Sequence, residues 1–213
     1  MNTTIKKTEP KPRRAYAMVL MLIGSVVISF GGLVIRNIHT ADNWQINFYR
    51  SLAFGSAIFV VLVFRYGNKV PLKLRDIGMH GVIAAALLAF AGIAFLQAIT
   101  NTSVAATTFT LSSLPFITAA MAWLFLGERI GKSTIFTMLA AVSGISLMFI
   151  QGLGSGSSYG NLMAFLCAIG FSGYTIVLRR NRSTEMLPAL ILSNLIIMGI
   201  VLMLRWDNIS IPW

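Results

Sequence analysis

The sequence predicts an all-α integral membrane protein, a multi-helix bundle with about seven transmembrane helices, and three observations carry that prediction. Only 11% of the residues are charged against 56% hydrophobic, too few charges to cover the surface of a soluble domain. Apolar runs of about 16 to 23 residues recur along the chain, and no Asp or Glu lies inside any of them. The Lys and Arg residues concentrate in the segments between alternate runs. The net charge of +11 is therefore not the footprint of a nucleic-acid binder, because the cations form no contiguous face or arm.

Residues 1–14 are a polar tail carrying Lys6, Lys7, Lys11, Arg13 and Arg14. A charged start before an apolar run also opens a secretory signal, but the run 15–35 is 21 residues long and lacks an A-x-A end, so it reads as the first retained span. Further spans follow at 44–64, 79–98, 104–126, 135–150, 161–178 and 187–204. Their short connections force sequence neighbours into antiparallel contact. With the N-terminus inside, fourteen of the 17 Lys and Arg residues fall on the inner side, which places the N-terminus in the cytoplasm and the chain in the cytoplasmic (inner) membrane as a multi-pass protein.

The span 104–126 has the most internal detail. Its uncharged length corresponds to about 35 Å of helix, enough to cross a hydrocarbon core of about 30 Å with some tilt. Pro115 removes the N–H that would reach the carbonyl of Leu111, so a bend is expected there, beside the hydroxyls of Ser112 and Ser113. Thr107, Thr110 and Thr118 share a stripe, while Thr108 lies off it. Such hydroxyls either bond the carbonyl one turn back and ease helix packing, or line a cavity.

The run SSLPFITAAMAWLFLGERIG, residues 112–131, resembles the fourth helix of EamA-type transporters of the drug/metabolite transporter superfamily: small residues, serine and proline, an apolar run, then LGE and a basic residue. The neighbouring spans follow the family's order of helices from near Ala15 onward. The resemblance implies ten transmembrane helices in two five-helix halves of opposite orientation. On that scheme the tail 1–14 precedes a first repeat over 15–151, a Gly/Ser linker occupies 152–160, and 161–213 holds two helices of an incomplete second repeat. A second copy of the chain or a partner chain would then supply the missing helices. An echo fits the scheme: Ile28, Phe30, Gly32 and Ile35 match Ile169, Phe171, Gly173 and Ile176 at a constant offset, in spans that run in opposite directions. The linker itself fails the spacing of a phosphate-binding glycine loop.

Seven residues are candidates for a substrate pathway: Asn47, Arg50, Gln97, Asn101, Ser112, Ser113 and Pro115. An intramembrane arginine such as Arg50 is costly to bury and marks a functional hypothesis, the alternative being a side chain that snorkels to the interface beside Tyr49 and Trp44. The resemblance implies that an arginine recurs at this place in the family's second helix. Asn47 lies one turn before it. Gln97 and Asn101 end the third span, where amides bond a neighbouring backbone or meet a ligand. The resemblance makes Gly127 and Glu128 structural, so replacing Glu128 by alanine is expected to lower folded yield more than it alters substrate preference.

With no carboxylate inside a span, proton exchange through a buried acid has no carrier here, and His39 and His80 read as interfacial. Cys167, the only cysteine, reads as small core packing. No catalytic cluster, metal set or cofactor motif is present, which argues against an enzyme, and the last span lacks the lysine that a retinal pump needs. The sequence therefore reads as a carrier of small organic metabolites or drugs working by alternating access, with membrane lipids and a small-molecule solute as its partners. The alternative is a non-transporting membrane subunit or an inactive truncated carrier.

Overall fold

A computed structural model describes residues 18–19, 21–26, 42–67, 70–128, 131–152, 158–181 and 185–205. The N-terminal tail, most of the first span, His39, Arg129, the first copy of the echoed motif, the centre of the Gly/Ser stretch and residues 206–213 lie outside them. Residues 1–37 form one unit, helical at 18–19 and 21–26, where the Ser25 hydroxyl donates to the Met21 carbonyl at 2.9 Å. Residues 38–213 form the other.

Every regular element described is helical: α1 (Asn43–Tyr66), α2 (Val70–Asp76), α3 (Gly78–Asn101), α4 (Val104–Leu111), α5 (Leu114–Leu126), α6 (Lys132–Gly152), α7 (Ser158–Arg180) and α8 (Leu187–Arg205). Among the described residues, five stretches are long and apolar enough to cross a membrane: α1, α3, α4 with α5, α7 and α8. They coincide with five of the expected spans, and α6 covers a sixth with 21 residues.

Local chemistry explains the ends. Asp42 caps α1 through a capping box with Gln45, whose side-chain oxygen accepts from the Asp42 N–H at 2.9 Å; this D-x-x-Q pattern starts the helix just ahead of the apolar run. The third span runs on to Asn101 because Thr100 and Asn101 bond their own helix, at 2.8 Å to the Leu96 and Gln97 carbonyls. The segment between the second and third spans, read from sequence only as a basic loop, contains α2 with Pro71 at its second position, where the missing N–H costs nothing.

The fourth span is two helices. Where a single bent helix is expected, α4 stops at Leu111 and α5 starts at Leu114, joined through Ser112 and Ser113 (ψ −14° and −8°), a turn tighter than α. Pro115 falls in the first turn of α5, so the proline starts a new helix. The Gly/Ser stretch is also shorter than 152–160: Gly152 closes α6, and Ser158, Tyr159 and Gly160 form the first turn of α7.

α3 is the hub of the bundle. Its alanines pack on two sides: Ala85 and Ala89 meet Ala189, Ile197 and Val201 of α8, whereas Ala91 and Ala94 meet Cys167 of α7. Small side chains let helices approach closely where lipid offers no hydrophobic drive to associate. α7 in turn packs against α4 and α5, and α8 against α1. Helices from both sides of the Gly/Ser stretch thus share one core.

The end contacts set the directions. The end of α1 meets the start of α8 in the cluster Leu62, Val70 and Ile191, and the start of α1 meets the end of α3 through Asn43 Nδ2 donating to Thr100 Oγ1 at 3.0 Å. At the same end as this second contact, the Thr102 hydroxyl donates to Asn161 Oδ1 of α7 at 3.0 Å. The opposite end carries Arg65, Lys73, His80, Arg179 and Arg180, so the bundle has one basic end.

Candidate functional site

A cavity of about 440 Å³ lies at the basic end between α5, the start of α6 and α7. Such a volume falls in the range of small-molecule sites. α5 contributes Leu114, Pro115, Thr118 and Ala119; α7 contributes Phe171, Thr175 and Arg179; Glu128, Gly131 and Thr134 close the mouth. The α7 residues follow one another at i, i+4 and i+8, one stripe of a helix. Behind them the Thr118 hydroxyl donates to Ser172 Oγ at 3.0 Å, tying α5 to α7, and Thr175 donates to the Phe171 carbonyl at 2.9 Å.

The mouth is bridged by an ion pair, Arg179 Nη2 to Glu128 Oε1 at 3.2 Å. Gly127 makes that geometry reachable. Its φ of +67° lies in the left-handed region, and its N–H reaches back to the Ala122 carbonyl, which ends α5 and turns Glu128 toward α7. With side chains 35% and 46% exposed, the pair is screened, so Glu128→Ala is expected to cost less than about 1 kcal/mol. Gly127→Ala, which puts a Cβ on left-handed backbone, is expected to cost about 1 to 2 kcal/mol. Thermal unfolding in detergent micelles checks the order. The glycine is expected to carry more of the LGE turn's structural weight than the glutamate.

A second latch stands at the same end. Arg65 of α1 pairs with Glu185, just before α8, at 3.2 Å, and the Tyr66 hydroxyl donates to the same carboxylate. Both latches join a helix before the Gly/Ser stretch to one after it.

The sequence candidates fall into separate groups. Pro115 and Glu128 line the cavity. Asn47 and Arg50 lie together on α1 over α3: Arg50 Nη2 donates to the Gly92 carbonyl at 3.1 Å and stands 3.4 Å from Asn47 Oδ1, with its guanidinium 5.8 Å from the Phe95 ring centre. The arginine is turned into the bundle and does not snorkel. Asn47 and Ser51, one turn apart, are fully buried, and Asn47 Nδ2 and Ser51 Oγ have no hydrogen-bond partner among the described residues. Gln97 and Asn101 end α3 at the far end, the Asn101 amide donating to the Gln97 carbonyl at 2.8 Å. Ser112 and Ser113 each donate to a carbonyl three residues back, those of Phe109 and Thr110, at 2.6 Å. Thr107, Thr108 and Thr110 of α4 donate to carbonyls four residues back, those of Ser103, Val104 and Ala106.

Sequence reasoning missed Phe171, Thr175 and Arg179 as a set, although their spacing shows on one helical stripe. It also left Arg179 as one cation of an inner loop. Among the described residues no group of His, Cys, Asp and Glu is arranged to hold a metal.

No curated protein and no solved structure gives a significant match to this chain. The family comparison does: the EamA-like transporter family matches residues 15–150, from the first span through α6 and including the α5 wall of the cavity with its proline and LGE turn. That match spans well over half of a multi-pass helical membrane protein, and the chain belongs to the EamA-like transporter family.

Proposed function

We propose that this protein carries small organic metabolites or drugs across the cytoplasmic membrane by alternating access, without covalent chemistry, its N-terminus and basic end in the cytoplasm. The observation that carries the reading is the 440 Å³ cavity at the basic end, walled by α5 and α7 and bridged at its mouth by an exposed ion pair. A half-exposed pair contributes little stability and exchanges readily with water, which suits a gate. The opposite end is held by the buried Thr102–Asn161 bond and by close backbone packing, which suits the closed side of the same cycle. In this reading the solute sits between Thr118, Thr134 and Thr175, and the unpartnered Asn47 Nδ2 and Ser51 Oγ become its contacts once the other end opens. Gln97, Asn101, Ser112 and Ser113 hold helix ends.

The test is uptake and efflux in proteoliposomes with a panel of amino acids and cationic drugs, comparing the chain with Thr175→Phe. The phenylalanine fills the cavity from a position whose hydroxyl bonds only its own helix, so flux of any carried solute is expected to fall at least ten-fold while the unfolding temperature stays within a few degrees. Unchanged flux in Thr175→Phe would remove this cavity from the pathway. Absence of flux for every solute in the wild-type chain would favour a non-transporting subunit.

A further inference from the structure

A second hollow, of about 400 Å³, lies on another side of the same helices, between α3, α5 and α7. Its polar groups gather at one end: His80 from the first turn of α3, and Arg180 and Asn181 from the end of α7. The rest of its wall is apolar, with Leu87, Met121 and Ile176 along its length. We propose that this groove binds an anionic phospholipid, phosphate on Arg180 and His80 and an acyl chain along the apolar wall.

Charge separates this groove from an ordinary lipid-facing furrow. The two arginines that end α7 part ways: Arg179 turns to Glu128 on the cavity side, at 3.2 Å, whereas Arg180 lines the groove with no carboxylate paired to it among the described residues. No Asp or Glu lines the groove among the described residues. Asn181 spends its amide N–H on the Val177 carbonyl at 3.0 Å, and its oxygen is left to accept from a headgroup hydroxyl. A guanidinium without a counter-ion, beside an imidazole, is a phosphate receptor. α3 and α7 are long and apolar enough to cross a membrane, so their ends would fall near headgroup depth, and basic pockets between such helices select anionic lipids. A free anion would use Arg180 and the imidazole and leave the apolar trough empty; a phospholipid uses both ends of the groove. The site does not depend on transport.

Native mass spectrometry of the purified chain in mild detergent tests it, with phosphatidylglycerol and phosphatidylcholine of identical acyl chains added at equal concentration. Phosphatidylglycerol adducts are expected to survive at least five-fold better, and Arg180→Gln with His80→Gln is expected to bring them down to the phosphatidylcholine level without moving the unfolding temperature by more than a few degrees. Equal retention of the two lipids, or full selectivity in the double variant, would overturn the proposal. So would displacement of the lipid by millimolar glycerol phosphate, which would mark Arg180 and His80 as a free-anion site. If the double variant does not fold, headgroup selectivity and glycerol phosphate competition in the wild-type chain decide the matter.

Discussion

Arg50→Gln is expected to lower stability by about 1.5 to 3 kcal/mol, the loss of a hydrogen bond made by a charged donor, and Arg50→Glu is expected to leave little folded protein. The arginine does three things at one point of the bundle: it donates to the Gly92 carbonyl at 3.1 Å, approaches Asn47 Oδ1 at 3.4 Å, and packs against Phe95. A glutamate would turn a carboxylate toward the Gly92 carbonyl and the Asn47 side chain, where the neutral Asn47 amide is a donor but no ion pair forms with the site among the described residues. Arg50→Lys keeps the charge but loses the planar group that spans carbonyl and ring, and should fall between wild type and Gln. Cys167 offers the readout. It is the chain's only cysteine, 4% exposed, and shares a cluster with Phe95, so a thiol-reactive dye labels it when the α1–α3–α7 junction opens. An arginine that merely snorkelled would tolerate glutamine with a change of a few tenths of a kcal/mol; that result would detach Arg50 from the core.

The span pattern and the basic end were legible in the sequence because each is a local property, whereas Gly127 was marked only by the family resemblance. Apolar length marks a span and Lys and Arg counts mark an end, while the left-handed backbone of Gly127 shows only in the structure. Of the seven pathway candidates only Pro115 lines the cavity; Glu128, which the resemblance made structural, lines it as well. Hydroxyls in a membrane helix look alike in sequence whether they bond backward, as in Ser112, Ser113 and the threonines of α4, or across helices, as in Thr118 to Ser172. The partners that build the cavity and its latches lie far along the chain, Glu128 with Arg179 and Arg65 with Glu185, and no local pattern pairs them. The role of α3 was hidden for a related reason: its alanines read as filler in an apolar run until two other helices are seen to lie against them.

Gly160→Leu is expected to reduce the yield of monodisperse protein several-fold, and even Gly160→Ala is expected to cost about 1 to 3 kcal/mol, the penalty of overpacking a filled core. A Cβ built at Gly160 lies 2.7 Å from the Asn101 carbonyl carbon and the Thr102 nitrogen. Those are backbone atoms at the end of α3 and cannot swing aside as a side chain does. The start of α7 would have to lift away, breaking the 3.0 Å bond from Thr102 to Asn161. Two glycines in the same bundle serve as controls. At Gly173 a Cβ meets only the mobile tip of Leu87, at 3.3 Å, so Gly173→Ala should cost little. At Gly199 of α8 nothing lies within 4 Å, and Gly199→Ala should stabilise the helix by up to about 1 kcal/mol. The three alanine variants differ by one methyl group each, so the same substitution separates helix propensity from closure of this end of the bundle. If Gly160→Ala unfolds no earlier than Gly173→Ala, α3 and α7 are not locked there. If it unfolds earlier and transport is also lost, the end opposite the cavity takes part in the transport cycle.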